Sequence, residues 1–92
     1  MIKTNQSNQL NSLRRQIDTV DRRVVRALAS RLRLVSLIGL EKKRLGLAIV
    51  DHGRENKVLS SVRAMAVSEG LDSELIQSVF KLVIEQSRKE QI

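Results

Sequence analysis

The sequence contains no cysteine, proline, tryptophan or tyrosine, and Phe80 is its only aromatic residue. Without cysteine there is no disulfide framework and no cysteine-based metal site. A single aromatic ring gives no platform on which bases stack. No stretch approaches the ~18 consecutive apolar residues of a membrane span, and the opening MIKTNQSNQL has no apolar core of signal-peptide length. The expectation is a cytoplasmic, soluble protein with no membrane partner. At 92 residues the chain makes one domain, 1–92. A monomer of this size would bury only about 60–65% of its unfolded surface, so oligomerisation is an expected supplement.

What the sequence has in excess is positive charge. Seventeen Lys and Arg stand against ten Asp and Glu, a net charge of +7. Acidic small molecules, nucleic acid and anionic surfaces become candidate partners, with a solvated basic surface as the plain alternative.

The rest of the chain is organised around the stretch from about Leu10 to Lys43. Leu10, Leu13, Ile17, Val20, Val24, Ala27, Leu34 and Ile38 follow alternating steps of three and four, the spacing that stacks side chains on one helical face. One rung differs: Arg31 stands where the pattern asks for an apolar residue. An unpaired guanidinium is costly to bury, so Arg31 needs an anion, a wet pocket or the surface. At about 1.5 Å per residue this helix would be roughly 50 Å long, against a radius of gyration of about 12–13 Å for a compact domain of this size. Such a rod needs a partner.

The remaining elements follow from local signals. Residues 1–9 are polar and expected to fray, with Asn8 or Ser12 available as caps. Gly39 permits close packing at some cost in helix propensity. Gly46 and the β-favouring Ala48-Ile49-Val50 break the helical rhythm, and Asp51-His52-Gly53 reads as a turn, which puts a loop at about 45–52. A second helix is predicted over about 53–69, burying Val58, Leu59, Val62, Met65 and Ala66, with Asp51 as candidate cap and Gly70 as terminator. A third is predicted over about 73–91, capped by Asp72 and burying Leu75 or Ile76, Val79, Phe80, Val83 and Ile84. The fold class is all-α, with three helices of which the first is very long.

Polar residues interrupt this pattern in places that suit a ligand. The stripe of the third helix continues into Ser87 and Gln91, four apart and therefore on one face. Arg31 and Lys42 are close to three turns apart, so they project from one side of the first helix with about 16 Å between them. Two long cationic side chains across that gap would hold a small dianion. Arg14 lies about 25 Å from Arg31 along the rod. It can join Arg31 and Lys42 only from a second, antiparallel copy. Asp51, Arg54 and Glu55 straddle the loop and the start of the second helix, where capping and surface pairing are the plain reading; His52 is read as a loop residue.

These residues also carry a resemblance. Leu13-Arg14-x-x-Ile17-Asp18-x-x-Asp21, Ala29-Ser30-Arg31, Glu41-Lys42, Asp51-x-x-Arg54-Glu55 and Ile84-Glu85-x-Ser87-x-x-x-Gln91 resemble, in order and spacing, the all-helical (AroQ-type) chorismate mutases. The resemblance implies an intertwined homodimeric helical bundle joined through the long first helices. It implies that Arg14 crosses from the partner while Arg31 and Lys42 hold the carboxylates of chorismate. Glu55 would accept a hydrogen bond from the ring hydroxyl, assisted by the loop backbone at Asp51. Ser87 and Arg54 would complete the carboxylate and loop network, and Gln91 with Lys42 would face the ether oxygen whose bond breaks.

That chemistry suits this composition. The rearrangement of chorismate to prephenate removes no proton and needs no covalent intermediate, cofactor or metal. Fixed cations and an amide suffice, by holding the reactive conformer and stabilising charge on the ether oxygen. A pyruvate-releasing isochorismate lyase on the same fold needs the same cationic cradle; Asp51-x-x-Arg54-Glu55 with Ser87 favours the mutase. A non-catalytic helical module, regulatory or nucleic-acid binding, is the rival of another class. For nucleic acid the chain has the charge but lacks aromatics, a short recognition helix and one exposed basic stripe, so no nucleic-acid partner is expected.

Overall fold

The computed structural model describes residues 2–92, with side chains from residue 7 onward. Three helices follow in order, α1 (Ile2–Leu45), α2 (His52–Ser68) and α3 (Ser73–Glu90), and no strand occurs among the described residues. The chain divides into two compact units, Met1–Arg31 and Leu32–Ile92.

The first unit is the N-terminal part of α1. The helix begins at Ile2 instead of near Leu10, so the polar opening is helical. Asn8 and Ser12 therefore lie inside the helix and cap nothing; the Ser12 hydroxyl accepts from the Gln16 amide one turn on. The apolar seam has the expected period, but in a single chain it is uncovered: Leu10, Leu13, Ile17, Val20 and Val24 are between 46% and 59% exposed.

The second unit contains the end of α1 and the packed pair α2 and α3. Val35, Val62, Ala66 and Ile84 form its core, with Ser87 the one buried polar residue among those described. Both helix ends ahead of the connections use the same device. Gly46 and Gly70 each sit at φ +72°, a left-handed conformation that favours glycine. Leu47 N–H then reaches back to Lys42 C=O at 2.8 Å and Gly46 N–H to Lys43 C=O at 3.2 Å; Leu71 and Gly70 repeat the pattern on Ala66 and Val67. The carbonyls of Lys42 and Lys43 in α1, and of Ala66 and Val67 in α2, are thereby satisfied. Lys42, Lys43 and Arg44 add favourable charge at the negative end of α1.

The caps predicted for the second and third helices are present. An Asp51 side-chain oxygen accepts from the Arg54 N–H at 3.0 Å, and Asp72 accepts from the N–H groups of Glu74 and Leu75. His52 and Gly53, expected in a turn, form the first residues of α2, because Asp51 starts the helix directly. Ala48-Ile49-Val50 forms no strand, having no neighbour to pair with. Two expected core residues are exposed, Met65 and Val79, and of the pair Leu75 or Ile76 it is Ile76 that is part-buried. The α2–α3 contact is centred on Val62, Ala66 and Ile84, and a seam between only two helices is narrower than the full apolar stripe.

Candidate active site

The second unit carries most of the predicted site. Lys42, on the last turns of α1, is half-buried, and its Nζ donates to the backbone carbonyl of Ile49 at 2.5 Å and to Gln91 Oε1 at 2.6 Å. One ammonium thus ties the helix, the following loop and the end of the chain together. An ammonium has three donors, so one remains for a ligand. Gln91 is the C-cap of α3; its N–H donates to the Arg88 carbonyl at 3.3 Å and its Nε2 to the Ser87 carbonyl at 3.4 Å. The amide therefore also keeps one N–H. Two donors, one cationic and one neutral, are held side by side.

Gly39 makes this arrangement possible. A Cβ at that position would stand 2.8 Å from Gln91 Cα and 2.8 Å from Gln91 O. Both are backbone atoms and cannot rotate away. The close packing expected of this glycine is therefore directed at the residue that pairs with Lys42.

Glu55 lies in the first turn of α2, with its side chain 18% exposed. It faces α3, where Arg88 grips it with two parallel hydrogen bonds, Nε to Oε2 at 2.8 Å and Nη2 to Oε1 at 2.5 Å. His52 Nδ1 is 3.6 Å from Oε1. The Arg88 hydrogen bond outweighs burial, which pushes the other way, and holds the Glu55 carboxyl below the ordinary carboxylate range; Arg88 itself is raised. Glu55 is an ionised acceptor at neutral pH. It lines an open cleft of about 410 Å³ with His52, Lys81, Ile84, Glu85 and Arg88. A neighbouring cleft of about 310 Å³ is lined by Lys42, Leu47, Val50, Asp51 and His52.

Asp51 acts through its cap on α2. Arg54 is exposed beside it. Ser87 is buried and its hydroxyl donates to the Val83 carbonyl at 2.7 Å. In the first unit Arg14 is exposed and Arg31 half-buried. Glu41 is engaged with Arg44 at 2.5 Å on the surface.

Two contributors escaped sequence reasoning. Arg88 is 33 residues from Glu55, and an arginine late in a helix reads as a solvated cation favoured by the helix dipole. His52 has the sequence context of a loop residue, and the start of α2 at that position brings it to Glu55. Among the described residues no group of three or more His, Cys, Asp and Glu could hold a metal. No helix of the described residues is long and apolar enough to cross a membrane. What the site offers is fixed hydrogen-bond donors, cations and one ionised acceptor, a set suited to binding and polarising an anionic ligand.

Comparison with known proteins gives this set a context. Residues 13–92 match the family described as chorismate mutase type II. A T-protein of Enterobacter agglomerans is 40% identical over 79 residues, 86% of this chain and 21% of that protein. A T-protein of Haemophilus influenzae is 36% identical over 78 residues, 85% of this chain and 21% of its own length. The chorismate mutase of Methanocaldococcus jannaschii is 25% identical over 79 residues, 86% of this chain and 80% of that protein. The chain thus spans about a fifth of the two T-proteins. No solved structure matches it.

Proposed function

Because the chain belongs to the chorismate mutase type II family, we propose that it converts chorismate to prephenate, a step of aromatic amino-acid biosynthesis carried out in the cytoplasm. The observation that carries this reading is the Lys42–Gln91 pair, clamped by the 2.6 Å hydrogen bond from Lys42 Nζ to Gln91 Oε1, with one N–H left on Lys42 Nζ and one on Gln91 Nε2. In the rearrangement the ether C–O bond breaks as a new C–C bond forms, and negative charge builds on the ether oxygen. Lys42 and Gln91 stabilise that charge; Arg31, with Arg14 from a partner, holds the carboxylates, and Arg54 and Ser87 complete the carboxylate and loop network, Ser87 by turning its one hydroxyl proton from the Val83 carbonyl to the ligand. Glu55 accepts from the ring hydroxyl, beside the helix start that Asp51 caps. No step requires a nucleophile, a metal or a cofactor.

The active form in this reading is a homodimer. The seam Leu10, Leu13, Ile17, Val20 and Val24 has core spacing yet stands about half exposed, and a second copy of the same seam is its natural cover. Incubation with chorismate, following prephenate, tests the activity. Pyruvate release from isochorismate without prephenate from chorismate would overturn it. A solution mass of one subunit, 10.4 kDa, in an active preparation would overturn the dimer.

Two variants probe the Lys42–Gln91 pair. Gly39→Ala is expected to raise helix propensity by about 0.8–1 kcal/mol yet lower kcat roughly 10²-fold, as a displaced catalytic group does. The added methyl pushes the Gln91 backbone away from Lys42. Kinetics alongside thermal melting check it, and unchanged kcat would mean that the contact does not matter. Gln91→Glu is expected to lose activity at neutral pH and regain it toward acid. Beside Lys42 the new carboxylate stays ionised, and only its protonated form donates to the ether oxygen. A flat pH profile would count against contact between residue 91 and that oxygen.

A further inference from the structure

Resting on the mutase reading, we propose that Arg88 is a positioning residue for Glu55: its guanidinium fork holds the carboxylate in one orientation and leaves an outer lone pair on it for the substrate hydroxyl. The geometry is specific. Arg88 Nε and Nη2 reach the two oxygens separately, at 2.8 and 2.5 Å, so the contact fixes the carboxylate plane as well as its place. A glutamate otherwise turns freely about its terminal torsion, which has no sharp minima. A carboxylate offers about four acceptor sites; the fork occupies two, so grip and substrate binding are compatible.

Arg88 is itself well anchored. It lies one turn beyond buried Ile84 on α3, and its backbone carbonyl accepts the Gln91 N–H at 3.3 Å. The residue that orients Glu55 through its side chain therefore also helps close the turn that carries Gln91. With 40% of its side chain exposed, the Arg88–Glu55 pair should add little to overall stability, and its effect is local. The groups around Glu55 are His52 on α2, 3.6 Å from Oε1, and Lys81, Glu85 and Arg88 on α3. Arg88 makes the dominant contribution in keeping Glu55 ionised into the acid range, against burial.

The sign of the pH effect follows. Glu55 works as an acceptor, so activity falls as pH drops through its folded-state value. Removing Arg88 removes the main influence holding that value down, so the acid limb of kcat/KM moves to higher pH. The test uses the full chain with Arg88→Leu and Arg88→Lys, chorismate as substrate, pH profiles of kcat/KM and melting temperature. Arg88→Leu is expected to lower kcat/KM roughly 10- to 100-fold at neutral pH, as misplacing a contacting group does, and to shift the acid limb upward with little change in melting. Arg88→Lys keeps the charge but not the fork, so it should restore the limb in part while leaving most of the neutral-pH loss. Adding Glu55→Gln to Arg88→Leu should abolish the shifted limb. A wild-type chain that makes no prephenate would sink the mutase reading and this proposal with it. An active wild type whose Arg88→Leu and Arg88→Lys variants keep its kcat/KM and acid limb would overturn the proposal alone. Should Arg88→Leu fail to fold, Arg88→Lys still decides, because unaltered neutral kcat/KM in that variant contradicts a role for the fork.

Discussion

Lys42→Ala is expected to lower turnover of chorismate by about 10²–10³-fold or more, the loss typical of removing one donor from a site that stabilises a developing oxyanion. Lys42 exceeds an ordinary donor in two respects. It carries full charge, and a charge-assisted hydrogen bond is roughly twice as strong as a neutral one. It also holds other parts of the site: the Ile49 carbonyl and the Gln91 amide both receive its Nζ, at 2.5 and 2.6 Å. Alanine takes one anchor from Gln91, the donor to its Oε1, so the loss of one donor also loosens the other. The stability change should be on the order of 1–3 kcal/mol for the two bonds, against about 2.7–4 kcal/mol for the loss of turnover, because Lys42 is only half-buried. Steady-state kinetics with a melting curve separates the effects. Near-normal turnover in a folded Lys42→Ala protein would refute the assignment.

Mixing Arg14→Ala with Arg31→Ala chains, each inactive alone, is expected to restore about a quarter of wild-type activity after subunit exchange, since random pairing of a two-fold dimer makes half the dimers mixed. In a mixed dimer one site collects both lesions and the other neither. The expectation depends on Arg14 serving the site of its partner, and it separates that arrangement from two independent monomers. Arg14 is exposed in the single chain, on the same segment whose apolar seam is uncovered, and covering the seam is what would bring a partner's cations near. Exchange is verified by mass or by a tag on one chain. No recovery after verified exchange would remove Arg14 from the partner's site.

The helices were legible because their signals are local. Asp51 and Asp72 were readable as caps since an N-cap acts within three residues, and Gly46 and Gly70 as terminators since a left-handed residue ends a helix where it stands. The seam of α1 was readable from its period alone. Periodicity does not say how wide a contact is, which is why Met65 and Val79 have core spacing yet stand exposed. Nor does a cap-type residue such as Asn8 or Ser12 say by itself where a helix starts, and α1 begins at Ile2 instead of near Leu10.

By itself, then, the sequence determined the all-α class, a long cation-bearing first helix and the residue types available for chemistry, because composition, caps and period act within a few residues. Only the tertiary structure decided which of those residues meet. Gly39 against Gln91, Lys42 between Ile49 and Gln91, and Arg88 on Glu55 join positions far apart in the chain. Their pairing depends on how helices pack, and a charged or small residue at a helix surface carries no mark of the partner that packing brings to it.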